Sequence, residues 1–207
     1  MMDQLTEPFK DWLKEDILKY LGFLMYNYRV MDSFWFINIE NRHGIEEACK
    51  INELVWGKVG NLAARDLRER FNITEKGIPG FVKALKLFPW YIIVGYKLIE
   101  NENELIIDVP SCPAQEGRLK HGMGEYDCKD MQRAEFENFA QVIDPSIKVE
   151  CLFAPPDEHP KDLYCRWRFT VEGQEKGDKP LDSSPPIPSP KIRLHYLINQ
   201  VFPDRLT

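Results

Sequence analysis

Apolar residues recur at helical spacing over the first 88 positions, then give way to the two-residue alternation of strands. FKDWLKEDILKYL carries its large side chains three and four apart, and Thr6 with Pro8 supplies a helix start. Asp32 and Ser33 read as a cap for a further helix over FWFINIENRH, which stops at Gly44. A long helix is expected over 45–71, turning Ile45, Ala48, Cys49, Val55, Val59, Leu62, Ala63, Leu67 and Phe71 inward. A short helix over about 80–88 ends at Pro89.

From Trp90 the pattern predicts a hairpin, WYIIVGYKLIE and ELIIDVP about the turn NEN, with Leu105, Ile107 and Val109 on the buried face. Two helices follow: a short one over AQEGRLKHG, and a clear one over MQRAEFENFAQVI. The second has Asp130 as its cap and Phe136, Phe139, Ala140 and Ile143 as its stripe. IKVECLFA and DLYCRWRFTVE form a second hairpin. Val149, Cys151 and Phe153 share one face of the first strand, and Leu163, Cys165, Trp167, Phe169 and Val171 one face of the next. Symmetry about Glu158 sets Cys151 nearly opposite Cys165.

This order predicts an α+β fold: N-terminal helices, then a four-stranded antiparallel sheet built as hairpin, helices, hairpin, with the helices on one face. Residues 1–88 are its helical part and 89–171 the sheet part of the same globular domain. Residues 172–207 are a proline-rich linker and a tail, in which KIRLHYLINQVF regains apolar character.

Composition sharpens this in three ways. A net charge of −6 argues against a nucleic-acid surface. No stretch is long and apolar enough to span a membrane, and no secretory leader is visible, so a cytoplasmic protein is expected. Five cysteines, an odd number, suit reduced thiols rather than a disulfide framework.

The thiols frame the chemistry. Cys112 stands at a strand exit and Cys128 at the start of the 130–143 helix, whose N–H groups favour a thiolate. Cys128 is thus either a nucleophile or metal ligand, or a half-buried structural thiol. Cys112, Cys128 and Cys165, with His159 or Cys151, are a candidate zinc set without the CxxC pairs that mark strong sites. His159, in the stiff turn PPDEHP, is either a base oriented by Asp157 or an exposed turn histidine. Phe136, Phe153 and Trp167 either line a ligand pocket or pack a core. His121 lies in a loop whose Gly122 and Gly124 would let it close over a ligand. Glu40 and His43 form a single E-x-x-H pair, read as an ordinary helix end.

WFINIENRHGIEEACKINELVW, CPAQEGRLKHGMGEYDCK, AEFENFAQVIDPSIKVECL and PPDEHPKDLYCRWRFT resemble a family of prokaryotic cytosolic proteins of unknown function, over roughly 30–171 and most specifically over 112–169. That family is distantly similar to the L-2-amino-thiazoline-4-carboxylic acid hydrolases and to 4-vinyl reductase domains. The first likeness implies opening of a cyclic C=N–S compound near cysteine-bearing motifs. The second implies a small-molecule-binding α+β domain with a metal site. Ala154 stands where many relatives are expected to carry a further thiol, and the tail from 172 lies outside the shared region.

Three functions follow as expectations. The foremost is a small-molecule-binding protein of the 4-vinyl-reductase kind, with zinc as the candidate metal. The alternatives are a hydrolase using Cys128, His159 and Asp157, and a non-catalytic protein that forms a homo-oligomer through 191–203.

Overall fold

The computed structural model describes residues 5–171; the assembly segment expected at 191–203 lies outside the described residues. Five helices, α1 (Lys14–His43), α2 (Ile45–Arg70), α3 (Gly77–Leu85), α4 (Pro113–Lys120) and α5 (Lys129–Ile143), accompany four strands. The strands are β1 (Lys97–Glu100), β2 (Glu104–Val109), β3 (Ile147–Phe153) and β4 (Cys165–Val171). They form one antiparallel sheet in the order β1-β2-β4-β3. The α+β expectation is met.

The sheet is one-sided because its strands alternate. Leu105, Ile107, Val109, Cys165, Trp167 and Phe169 face the helices and are buried. On the opposite face Arg166 lies directly across from Asp108, and its guanidinium donates to that carboxylate at 2.6 and 2.7 Å. Arg168 pairs in the same way with Glu150 on β3. Helix α5 lies on the buried face, where Phe136 meets Trp167 and Phe169 edge-on with centroids 5.5 and 5.2 Å away. Phe81 of α3 packs on Phe169 and Phe139, so helical and sheet parts share one core.

Helix α2 crosses α5 at very close range. A Cβ on Gly60 would stand 2.7 Å from the carbonyl oxygen of Glu135, and one on Gly57 3.3 Å from the Cβ of Ala134. The buried face of α2 is accordingly Ala48, Trp56, Gly57, Gly60 and Ala64. Val55 and Leu62, expected inside, are 47% and 53% exposed. Backbone proximity, rather than bulk, selected that face.

Three further expectations are corrected. Asp32 and Ser33 do not begin a helix, because α1 runs unbroken through them: the Ser33 hydroxyl donates back to the Arg29 carbonyl at 2.9 Å. The first strand starts only at Lys97. Tyr91–Gly95 forms a π-helical turn, and Gly95, at φ +74°, redirects the chain into β1. Cys151 pairs with Trp167 across a β-bulge, while Cys165 lies opposite Val109 of β2.

Candidate functional site

Pro110 ends β2 and delivers Cys112 as the N-cap of α4. Helix α4 then presents Gln115 inward, and the loop 121–128 returns to Cys128, the N-cap of α5. The loop is held from both ends of one amide. Gln115 Oε1 accepts the Tyr126 N–H at 3.1 Å, while Nε2 donates to the Tyr126 carbonyl at 2.9 Å and to Cys128 Sγ at 3.3 Å. Arg118 Nε donates to the Gly124 carbonyl, and its guanidinium forks onto Glu40 of α1 at 2.6 and 3.1 Å. Glu40 is therefore spent on Arg118, while His43 is exposed at the helix end, consistent with the ordinary reading of that pair.

Behind this loop lies a cavity of about 70 Å³. A single water needs only ~10–15 Å³ of such space, so there is room for a small ligand. Its wall draws on every layer: Asp32 from α1, Asn52 and Trp56 from α2, Trp90 and Val94 from the π turn, Tyr96 before β1 and Val109 from β2. Cys112, Gln115, Tyr126 and Cys128 come from the α4 region, Met131, Gln132 and Glu135 from α5, and Ala154, Pro155, Tyr164 and Cys165 from the second hairpin. Cys112, Cys128 and Cys165 are thus brought to one wall.

The most unusual member is Glu135. It is 3% exposed. Its Oε2 accepts from Gln132 Nε2 at 2.8 Å, and Oε1 has no partner. Burial lifts its carboxyl to about 8, even though the Gln132 amide pulls the other way; the charge of Asp32 adds to the rise. Asp32 is itself raised to about 6 by burial, against the pull of the Trp56 indole N–H that it accepts at 3.1 Å. A carboxylic acid poised near neutrality in an apolar cleft is the kind of group that binding and catalytic sites use.

Burial sets the character of the thiols. Burial pushes Cys128 up to about 12, Cys112 beside it adds to the rise, and the Gln115 hydrogen bond offsets only part. Cys112 and Cys165 are also raised by burial. At Cys128 desolvation outweighs the helix start and favours the protonated thiol. Among the described residues no three His, Cys, Asp or Glu side chains are grouped so as to hold a metal ion, although Cys112, Cys128 and Cys165 share one cavity wall.

Nor do Cys128, His159 and Asp157 form a relay. Asp157 accepts from Lys129 Nζ at 2.7 and 3.0 Å, which holds its carboxyl below the usual range. His159 Nε2 pairs with Glu125 at 3.1 Å, and Nδ1 faces the Pro160 carbonyl at 3.0 Å. These contacts, the Pro160 carbonyl first, raise its pKa. His159 ties the 121–128 loop to the second hairpin, so that loop is pinned by Gln115, Arg118 and His159. Phe136 and Trp167 lie in the solid core and Phe153 is half-buried; all three stand outside the cavity wall.

Sequence reasoning missed Glu135, Asp32 and the aromatic wall of Trp56, Trp90, Tyr96 and Tyr126. Glu135 had a signal: it stands four residues before Phe139 and eight before Ile143, on the buried stripe itself.

A family model described as "Family of unknown function (DUF6125)" matches residues 10–171. The chain belongs to this family. The match reaches further toward the N-terminus than the resemblance over 30–171 and takes in all of α1. No curated protein matches the chain. Among the described residues no helix is long and apolar enough to cross a membrane.

Proposed function

We propose that this member of the family binds a small organic molecule in the cavity between α5, α2 and the β2–β4 seam, the role implied by the likeness to 4-vinyl reductase domains. The observation that carries the reading is Glu135 Oε1, a buried carboxyl oxygen on the cavity wall with no hydrogen-bond partner. Leaving such an atom unpaired costs about 1–3 kcal/mol, a cost that a hydrogen-bonding ligand would remove. The surrounding wall is largely aromatic and aliphatic, with few polar groups, which is the usual make-up of a ligand site.

The test is a fragment screen by saturation-transfer NMR on the full chain, repeated on Ala114→Trp. Ala114 lines the cavity yet is exposed, so a large side chain there closes the mouth without entering the core. Fragments that bind the parent and lose saturation transfer with the variant support the reading. Fragments that bind both alike, or none binding at all, would overturn it.

A further inference from the structure

The titratable groups on the cavity wall all have the same character. They are two carboxyls (Asp32 and Glu135), three thiols (Cys112, Cys128 and Cys165) and three phenols (Tyr96, Tyr126 and Tyr164). Among the described residues no Lys, Arg or His lines the cavity. Each of these groups is neutral or negative, and none can offer positive charge. An anionic ligand would meet no counter-charge and two carboxyls.

The two acids are incompletely used. Asp32 Oδ1 accepts the Trp56 indole and Glu135 Oε2 accepts the Gln132 amide, while Glu135 Oε1 remains unpartnered. Both acids line the same wall, and the charge of Asp32 adds to the rise at Glu135. A cation beside them would offset the burial that now favours their protonated forms. The wall beside them is aromatic: Trp56 and Trp90 meet edge-on at 5.5 Å, and Tyr28 backs both at 6.0 and 5.8 Å. Indole and phenol faces attract cations, and a desolvated site strengthens the attraction.

We propose that the cavity takes a small organic cation, an ammonium or amidinium, held against Glu135 and Asp32 and enclosed by Trp56, Trp90, Tyr96 and Tyr126. This rests on the small-molecule reading of the same cavity and adds the charge of the ligand. The thiols supply a soft, uncharged side of the wall. The small volume confines the cationic head and its first few carbons.

Three probes of one shape and different charge decide the matter: acetamidinium, acetamide and acetate, titrated into the full chain by saturation-transfer NMR. Acetamidinium should bind about ten-fold more tightly than acetamide, with acetate weakest, and Glu135→Gln should erase the preference. Ala114→Trp should abolish binding of all three. If circular dichroism shows that Glu135→Gln does not fold, the charge series on the parent and on Asp32→Asn decides. Equal binding of acetamide, or tighter binding of acetate, overturns the cationic ligand while leaving the cavity as a small-molecule site. Failure of all three while other fragments still bind and are excluded by Ala114→Trp has the same meaning. Failure of every probe and fragment overturns both readings.

Discussion

Gln115 and Tyr126 exchange two hydrogen bonds, side-chain amide to backbone peptide, in the manner of two paired strand residues. Gln115 is fully buried, and it serves both the N–H and the carbonyl of Tyr126. The stretch between them, 116–125, includes both loop glycines and is held further along by Arg118 at Gly124 and His159 at Glu125.

Gln115→Leu keeps the volume and removes both partners. We expect a loss of about 2–4 kcal/mol in urea unfolding, from two backbone groups left buried without partners. Gln115→Glu keeps the acceptor for the Tyr126 N–H but sets an oxygen against the Tyr126 carbonyl, and should recover little of the loss. Stability equal to the parent in both variants would show that Arg118 and His159 hold the loop without Gln115.

Glu135 makes stability depend on pH, with a sign opposite to that of most carboxylates. Its carboxyl is raised from an ordinary value to about 8 in the folded protein. Between those values the folded state keeps a proton that the unfolded chain has released. Stability therefore falls as pH rises, by up to ~1.4 kcal/mol per pH unit from this group. Asp32, raised to about 6, acts in the same direction at lower pH. His159, also raised, loses its contribution as pH climbs through its folded value. Comparing the parent with Glu135→Gln between pH 6 and 8 isolates Glu135, and the variant should have the flatter profile. Parallel profiles would mean that Glu135 is ionised throughout.

Gly60 and Gly117 are both helical and should respond in opposite ways. Gly60→Ala drives a methyl to 2.7 Å from the Glu135 carbonyl, a backbone atom that cannot rotate away. A loss of about 1–3 kcal/mol is expected, beyond any helix-propensity gain. Gly117 has open space around its Cβ direction, so Gly117→Ala should gain about 0.5–1 kcal/mol. Thermal denaturation of the two variants side by side is the check, and a neutral Gly60→Ala would show that α2 and α5 can separate.

Thiol reactivity distinguishes the buried reading of Cys128 from the activated one. With a pKa of about 12, roughly 1 in 10⁴ of its molecules is thiolate at pH 8, against roughly a quarter for an unperturbed thiol. Mass-spectrometric mapping of iodoacetamide labelling should find Cys128 modified far more slowly in the folded chain than in urea. Cys112 and Cys165 should share that protection. Fast, selective labelling of Cys128 in the native protein would restore it as a nucleophile.

The sequence showed the fold where side-chain period and fold period coincide. Leu105, Ile107 and Val109 alternate because one sheet face is wet, and Phe136, Phe139 and Ile143 recur because α5 has one dry side. It misled where hydropathy is not what counts. Val55 and Leu62 are apolar but exposed, while Gly57 and Gly60, which have no side chain to score, are the residues α5 rests on. Asp32 has the chemistry of a cap, yet its partner is an indole 24 residues away. The 91–95 run has strand composition, but closes into a turn that puts Trp90 and Val94 on the cavity. The cavity is the least legible part, since Gln115, Asp32 and Glu135 meet only after distant segments have packed. The thiols drew the eye by type, and their burial, which sequence does not display, favours the structural of the two readings open for Cys128.

The strand order carries a consequence for how the protein is made. Among the described residues β4 is the last strand synthesised, yet it occupies the middle of the sheet, between β2 and β3. Until the ribosome has passed residue 171, β2 has one unpaired edge, the α5 stripe lacks Trp167 and Phe169, and the cavity lacks its Tyr164 and Cys165 side. The nascent chain must hold a helical assembly with an open seam, and a single late insertion closes the sheet, the core and the ligand chamber together.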